Sequence, residues 1–464
     1  MNAKIMPSEI GAKIAEKFRG REEITIYLGS NGATPTASLE ALVETIKNDP
    51  TFPHVRMVHI LLQGPAPHVE KGMEERITTY SMFSGGAVRD AANQGRAYYL
   101  PVTLVRIGCL VGKGKPFQAD VVLMKVRKIK GKKQLSMGLS VEALPSAIDG
   151  AGLVIAELDP SMPFTFGDSI LDPSSIDYLV AEGIQPVHAL PELDICNIPN
   201  AEKRIGEMVT DHFIRNGCTL QVGIGQIPDA VVATIREGGL KHLGIQTEIY
   251  GDGLMSLQEE EIVTNMCKTV NRYSTTSLIM GSRKLYDFVD RHPGIQMRPC
   301  SYTNRFDTIQ ANAPFISINT AMGADLRGCF WADFVNSDRY YSGIGGQPDF
   351  VRALSDCAYG VPIIAIKSVT DKGQSKIVPY HPEGISPTAT SYDGVVLVTE
   401  WGVADLRALA IGEKALAIAH VAHPDFREEL LRHIVDSKHY TKPRGLLLDK
   451  TPKGVFPYDG DIAL

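Results

Sequence analysis

The sequence predicts an α/β fold of two similar open α/β domains with largely parallel sheets. Two observations predict it. Short apolar runs bounded by Gly, Pro or polar residues alternate with helical patterns along the chain, the alternation that builds βαβ units. A strand–glycine–helix pattern near the start also recurs near the middle, about one domain length further on.

In chain order, the runs at 24–28, 57–62, 120–126, 153–157, 220–222, 315–319, 361–366 and 395–399 read as strands. Their Val, Ile and Leu content is that of strands covered on both faces. Helical patterns at 37–48, 201–216, 229–237, 348–357 and 403–410 lie between several of them. The echo pairs ITIYLGSNGATPTASLEAL, with Gly29, Gly32 and Pro35 between strand and helix, with CTLQVGIGQIPDAVVATI, where Gly223, Gly225 and Pro228 take those places. Tandem domains at 1–196 and 197–464 follow, divided within the turn-rich stretch PELDICNIPNA (191–201).

A chain of 464 residues with 44% hydrophobic and 22% charged residues has globular composition, which excludes a disordered or fibrous protein. Lys and Arg number 47 against 53 Asp and Glu; a net charge of −6 argues against nucleic acid as partner, because phosphate neutralisation needs a basic surface. The basic run KVRKIKGKK (125–133) reads as a solvated hairpin end. Cysteines 109, 196, 218, 267, 300, 329 and 357 form no CxxC pair, so neither a disulfide framework nor a metal site is expected. His59, His68, His188, His242 and His381 form no ligand set and read as packed or surface residues. The first twenty residues hold no apolar core of a leader, and no run reaches the ~20 apolar residues that span a bilayer. A cytoplasmic protein without a membrane partner is the expectation.

Three segments are candidates for chemistry. GIGQIP (223–228) opens like a dinucleotide fingerprint but lacks the third glycine; a structural turn and an anion-holding helix start are equally good readings. YSGIGGQPDF (341–350) places three glycines in four residues before a helix, which lets a ligand approach the backbone closely. LGIQTEIYGDGL (243–254) carries Glu248 at the end of a β-like stretch, the region of an open α/β domain where chemistry sits. Residue statistics alone favour a solvated glutamate there. The absence of GxxxxGK[ST], HExxH and GxSxG removes support for a Walker-type nucleotidase, a zincin and a serine hydrolase.

These segments, in order with GATPTASLEAL (32–42), GRAYYLPV (95–102), SMGLSVEALPSA (136–147), VIAELDPSMPFTFGDS (154–169), GSRKLYDFVD (281–290), YTNRFD (302–307), SINTAMGADLRG (317–328) and LVTEWGVADLRA (397–408), resemble the acetyl-CoA hydrolase/transferase family. The resemblance is to its 4-hydroxybutyrate (butyrate–acetate) CoA-transferase branch and covers nearly the whole chain. It implies a tandem CoA-transferase fold and a CoA-transferase that moves CoA between an acyl-CoA and a short-chain carboxylate through a glutamyl-CoA thioester. It assigns the nucleophile to Glu248 and the oxyanion site to Asn304 and Gly345, and it places Gly223, Gly225, Gly343 and Gly346 along the CoA channel. Coenzyme A and acyl-CoA are then substrates, with no permanently bound cofactor, and a homodimer is expected. The sequence departs from the family in two places: Gln246 stands where histidine is usual, and no arginine precedes the strand in ATSYDGVVLVTE (389–400).

A carboxylate in a dry cleft is a better nucleophile than one in water. An Asn N–H and a glycine N–H can together stabilise the oxyanion that each addition develops. The thioester energy is kept throughout, so the transfer needs neither metal nor ATP. The alternative is an acyl-CoA hydrolase that uses the same glutamate with water as acceptor. A non-catalytic binding protein on the same scaffold ranks below both, because the glutamate and the glycine loops are present.

Overall fold

The computed structural model describes residues 3–192, 198–438, 440 and 451–459. The proposed boundary at 196/197 lies outside the described residues. Two ten-stranded sheets form the frame. The path of the first runs Ala3–Ile5, Tyr178–Val180, Leu153–Leu158, Val121–Lys128, Glu23–Leu28, His54–His59, Ile77–Ser81 and Tyr98–Tyr99, and every pairing along it is parallel. The second runs Val455–Pro457, Gly402–Asp405, Val396–Thr399, Gly360–Ala365, Phe315–Asn319, Thr219–Val222, Gly244–Tyr250, Ser274–Ile279, Ile295–Met297 and Phe166–Gly167.

The two sheets share one winding scheme. In each, an early strand (Glu23–Leu28 or Thr219–Val222) sits centrally, the next strands add on one side, and the later ones add on the other. The repeated motif in the sequence therefore marks the central strand of each sheet. The second sheet also receives Phe166–Gly167 from the first half of the chain, paired parallel with Ile295–Met297. An isolated bridge joins Ser140 to Leu278. Buried residues of both halves, from Tyr27 and Val122 to Leu220 and Val398, form one continuous core.

All eight apolar runs are strands to within a few residues. Four of the five helices also form, at Thr36–Asn48, Asn200–Phe213, Gln226–Glu237 and Gln347–Ser355. The fifth does not. Gly402–Asp405 is a strand antiparallel to Val396–Thr399, and the helix begins only at Ile411. Val403 and Ala404 are fully buried between strands on both sides, so pairing with the sheet outweighs a helical pattern of only a few residues.

The basic run also differs from expectation. Its turn at 129–134 joins antiparallel strands, but Lys125 lies inside the sheet, fully buried between Glu157 at 3.1 Å and Asp159 at 3.0 Å. Paired carboxylates make such a buried charge tolerable.

Candidate active site

Ligands bind open α/β sheets beyond the carboxyl ends of the strands, where the winding direction reverses. In the second sheet that point lies at Thr219–Val222, between Gly244–Tyr250 and Phe315–Asn319. A cavity of about 590 Å³ opens there, lined by residues 223–228 after the central strand, Glu248 and Ile249, residues 318–322, and the glycine loop 341–347. Phe83 and Arg89 close it from the first half of the chain, so the cavity lies between the two sheets.

Glu248 is the fifth residue of the Gly244–Tyr250 strand and only 8% exposed, not the solvated residue that statistics favour. Burial raises its pKa to about 7; the Asp349 charge adds to the rise, while a hydrogen bond from Gln221 opposes it. Its Oε2 is buried and has no hydrogen-bond partner. Gln221 is itself held by reciprocal amide bonds with Asn319, of 3.3 and 3.1 Å.

Asn304 caps the short helix Cys300–Thr303 and is fully buried. Its Oδ1 accepts from Thr303 Oγ1 at 2.8 Å, and Thr303 Oγ1 lies 2.6 Å from Ser277 Oγ. This fixes the amide orientation, with Nδ2 donating to Asp349 Oδ2 at 3.2 Å. Asp349, raised to about 6 by burial, also accepts from the Val105 backbone at 3.0 Å.

The glycine loop brings these groups together. A Cβ on Gly346 would fall 2.3 Å from Asn304 Nδ2 and 3.2 Å from the Glu248 carboxyl carbon, so only glycine lets the loop pass between them. Gly343 is equally confined, with a Cβ position 2.5 Å from the Met82 carbonyl. Gly345 has φ +62°, and its carbonyl accepts from Leu104 N at 3.3 Å. Glu248, Gly223, Gly225, Gly343, Gly345 and Gly346 thus line one cavity, with Asn304 in contact through Gly346. Gly223 and Gly225 also border a second cavity of about 390 Å³, which contains Asp229 and Asp252 but not Glu248.

Gln246 lies on the same strand face as Glu248 but does not bond it. Its Nε2 donates to the Thr303 carbonyl at 2.9 Å, and its Oε1 accepts from Asn312 at 2.7 Å. The residue that stands in place of histidine therefore anchors the helix that presents Asn304.

Sequence reasoning passed over Gln347, Asp349 and the cations. Gln347 and Asp349 fall inside the glycine segment, where nothing in their spacing distinguishes them from ordinary first-turn helix residues. Arg89, Lys367 and Lys376 come from separate segments and meet only in the fold. Arg89 stacks on Tyr341 at 4.7 Å, Lys376 is brought down to about 8 by burial, and Lys367 pairs with Glu202 at 3.3 Å.

Two family models match the chain: the acetyl-CoA hydrolase/transferase N-terminal domain over residues 12–191 and the C-terminal domain over residues 281–434. The 4-hydroxybutyrate coenzyme A transferase of Clostridium kluyveri is 35% identical over 83% of this chain and 88% of its own. The chain belongs to the acetyl-CoA hydrolase/transferase family. The crystal structure of RipA from Yersinia pestis, 27% identical, superimposes with a TM-score of 0.82 over 93% of this chain and 96% of that one. The acetyl-CoA hydrolase of Saccharomyces cerevisiae is 24% identical over 91% of this chain and 88% of its own. This family member is thus an enzyme of CoA-thioester chemistry, with both transferases and hydrolases among its relatives. No described helix is long and apolar enough to cross a membrane.

Proposed function

We propose that the chain is an acyl-CoA:carboxylate CoA-transferase that works through a thioester on Glu248. The observation that carries this reading is a buried carboxylate with an unpartnered oxygen and the Gly343–Gly346 loop on one cavity, with the oriented Asn304 amide directly behind Gly346. Glu248 attacks the thioester carbonyl, and expulsion of CoA thiolate leaves a mixed anhydride. The thiolate then attacks the Glu248 carbonyl carbon, which releases the first acid and leaves glutamyl-CoA. A second carboxylate attacks that thioester carbon, again expelling CoA thiolate. The thiolate takes the new acyl group from the anhydride and restores the Glu248 carboxylate.

Asn304 Nδ2 and the Gly345 amide are the donors for the oxyanions formed in these additions. Gly223, Gly225, Gly343 and Gly346 give room for the pantetheine arm. Arg89, Lys367 and Lys376 on the cavity wall suit a substrate that carries phosphates. Their binding energy would be used to lower the barrier. The substrates are acetyl-, butyryl- or 4-hydroxybutyryl-CoA with a short-chain carboxylate, a reading supported by the Clostridium kluyveri relative. The yeast relative favours the hydrolase as second reading.

An assay of free thiol separates the two. From acetyl-CoA alone the transferase releases up to one equivalent of acetate per site and no free thiol, because CoA stays on Glu248, and it exchanges acyl groups when a second acid is added. Continuous thiol release without an acceptor acid would establish the hydrolase.

A further inference from the structure

Two side chains of the cavity wall each carry a buried atom without a partner, and the two atoms are of opposite kind. Glu248 Oε2 is an acceptor without a donor. Gln347 Nε2 is a donor without an acceptor; the residue is 7% exposed and lines the same cavity. An unpaired buried amide costs free energy, and such a cost is recovered when a ligand supplies the missing acceptor. Gln347 is also the first residue of the nine-residue helix Gln347–Ser355, capped by Gly346. The first turn of that helix adds the positive end of its dipole to the same corner of the cavity.

We propose that Gln347 binds the carboxylate of the short-chain acid substrate, its Nε2 donating to one carboxylate oxygen. The proposal rests on the thioester reading above and extends it to the second substrate. While Glu248 is a free carboxylate it repels an incoming acid; as glutamyl-CoA it is neutral, and the acid can enter. A neutral amide is a suitable donor at that stage. It holds the carboxylate as an anion, so that the oxygen remains nucleophilic. Attack forms the bond from this oxygen to the Glu248 carbonyl carbon and breaks the carbon–sulfur bond, with the electron pair leaving on CoA thiolate. No proton is exchanged.

The test uses the full-length enzyme with Gln347→Met, which keeps the volume and removes the donor, and Gln347→Glu, which also adds a like charge. Acetate and butyrate serve as acceptors in the acyl-exchange assay, and trapping of the covalent adduct from acyl-CoA alone is measured in parallel. Loss of one hydrogen bond to a charged group is expected to raise the KM for the carboxylate about 10- to 100-fold, more in Gln347→Glu than in Gln347→Met. In Gln347→Met the KM for acyl-CoA and the yield of adduct stay at wild-type values; in Gln347→Glu the added charge beside Glu248 also slows adduct formation. Because the native amide is unpaired, Gln347→Met should not lower the Tm, whereas a structural glutamine would. An unchanged carboxylate KM, or an equal rise in the KM for acyl-CoA, would overturn the assignment of Gln347. Failure of the wild-type enzyme to form any adduct would overturn the thioester on Glu248 instead, and the carboxylate KM would still decide the role of Gln347.

Discussion

The nucleophilic use proposed for Glu248 comes with a folding cost, and the two can be measured separately. Its pKa of about 7 lies above the value near 4.5 of an unfolded glutamate. Between those values the native state binds more protons than the unfolded one, so stability falls as pH rises from about 4.5 to 7 and stays lower above it. Glu248→Gln should therefore abolish transfer yet raise the Tm at pH 8, by an amount corresponding to at most ~3 kcal/mol. At pH 4.5 it should leave the Tm nearly unchanged. Thermal unfolding of both proteins across that range checks the sign. Activity runs the opposite way, because only the carboxylate attacks: kcat/KM for acyl-CoA should fall about tenfold per pH unit well below 7. A flat profile down to pH 5 would remove Glu248 from the nucleophilic role. For Asn304→Ala, loss of an oxyanion donor predicts a kcat lower by about 10²–10³ with little change in KM. The oxyanion role proposed for Asn304 rests on family resemblance, since nothing in its sequence spacing marks a buried, oriented amide. Only the fold shows Thr303, Ser277 and Gln246 holding it in place.

The glycine loop and the strands show which elements are legible in a sequence. Strands rich in Val, Ile and Leu are visible because burial on both faces demands those residues. Ser274–Ile279 (STTSLI) is buried at all six positions, yet its polar composition hides it. Its hydroxyls are satisfied internally, Thr276 Oγ1 by the Glu248 and Leu278 carbonyls and Ser277 Oγ by Thr303. Such pairing depends on neighbours distant in sequence. Lys125 was misplaced for the same reason: its partners Glu157 and Asp159 lie on a neighbouring stretch more than thirty residues away. Lys125→Met should leave two buried carboxylates unpaired and cost about 3–5 kcal/mol, read as a lower denaturation midpoint. In the glycine loop, Gly346→Ala should fold but lose nearly all activity, because its methyl would displace Asn304 or Glu248. Circular dichroism and the exchange assay together would show this. A fully active Gly346→Ala enzyme would mean that the loop does not pass between the two groups.

Across the whole molecule, the internal echo foretold two similar α/β units, and the structure adds that their sheets share one winding scheme. It did not foretell Phe166–Gly167 joining the second sheet, since two residues leave no periodic signal. It also did not foretell which face the sheets share. That face matters most, because Phe83 and Arg89 of the first half complete the cavity around Glu248 in the second. In the proposed reaction Glu248 itself becomes the CoA thioester within this cavity. The most direct measurement is borohydride or hydroxylamine treatment of enzyme incubated with acyl-CoA and no acceptor acid, followed by peptide mapping. Borohydride reduces a thioester to an alcohol, and hydroxylamine converts it to a hydroxamate, while both spare a free carboxylate. Inactivation is expected only after exposure to acyl-CoA, with the mass change on Glu248 in the peptide spanning 245–253. Unmodified Glu248 in enzyme that still turns over acyl-CoA would contradict it and leave the glutamate as a general base for water.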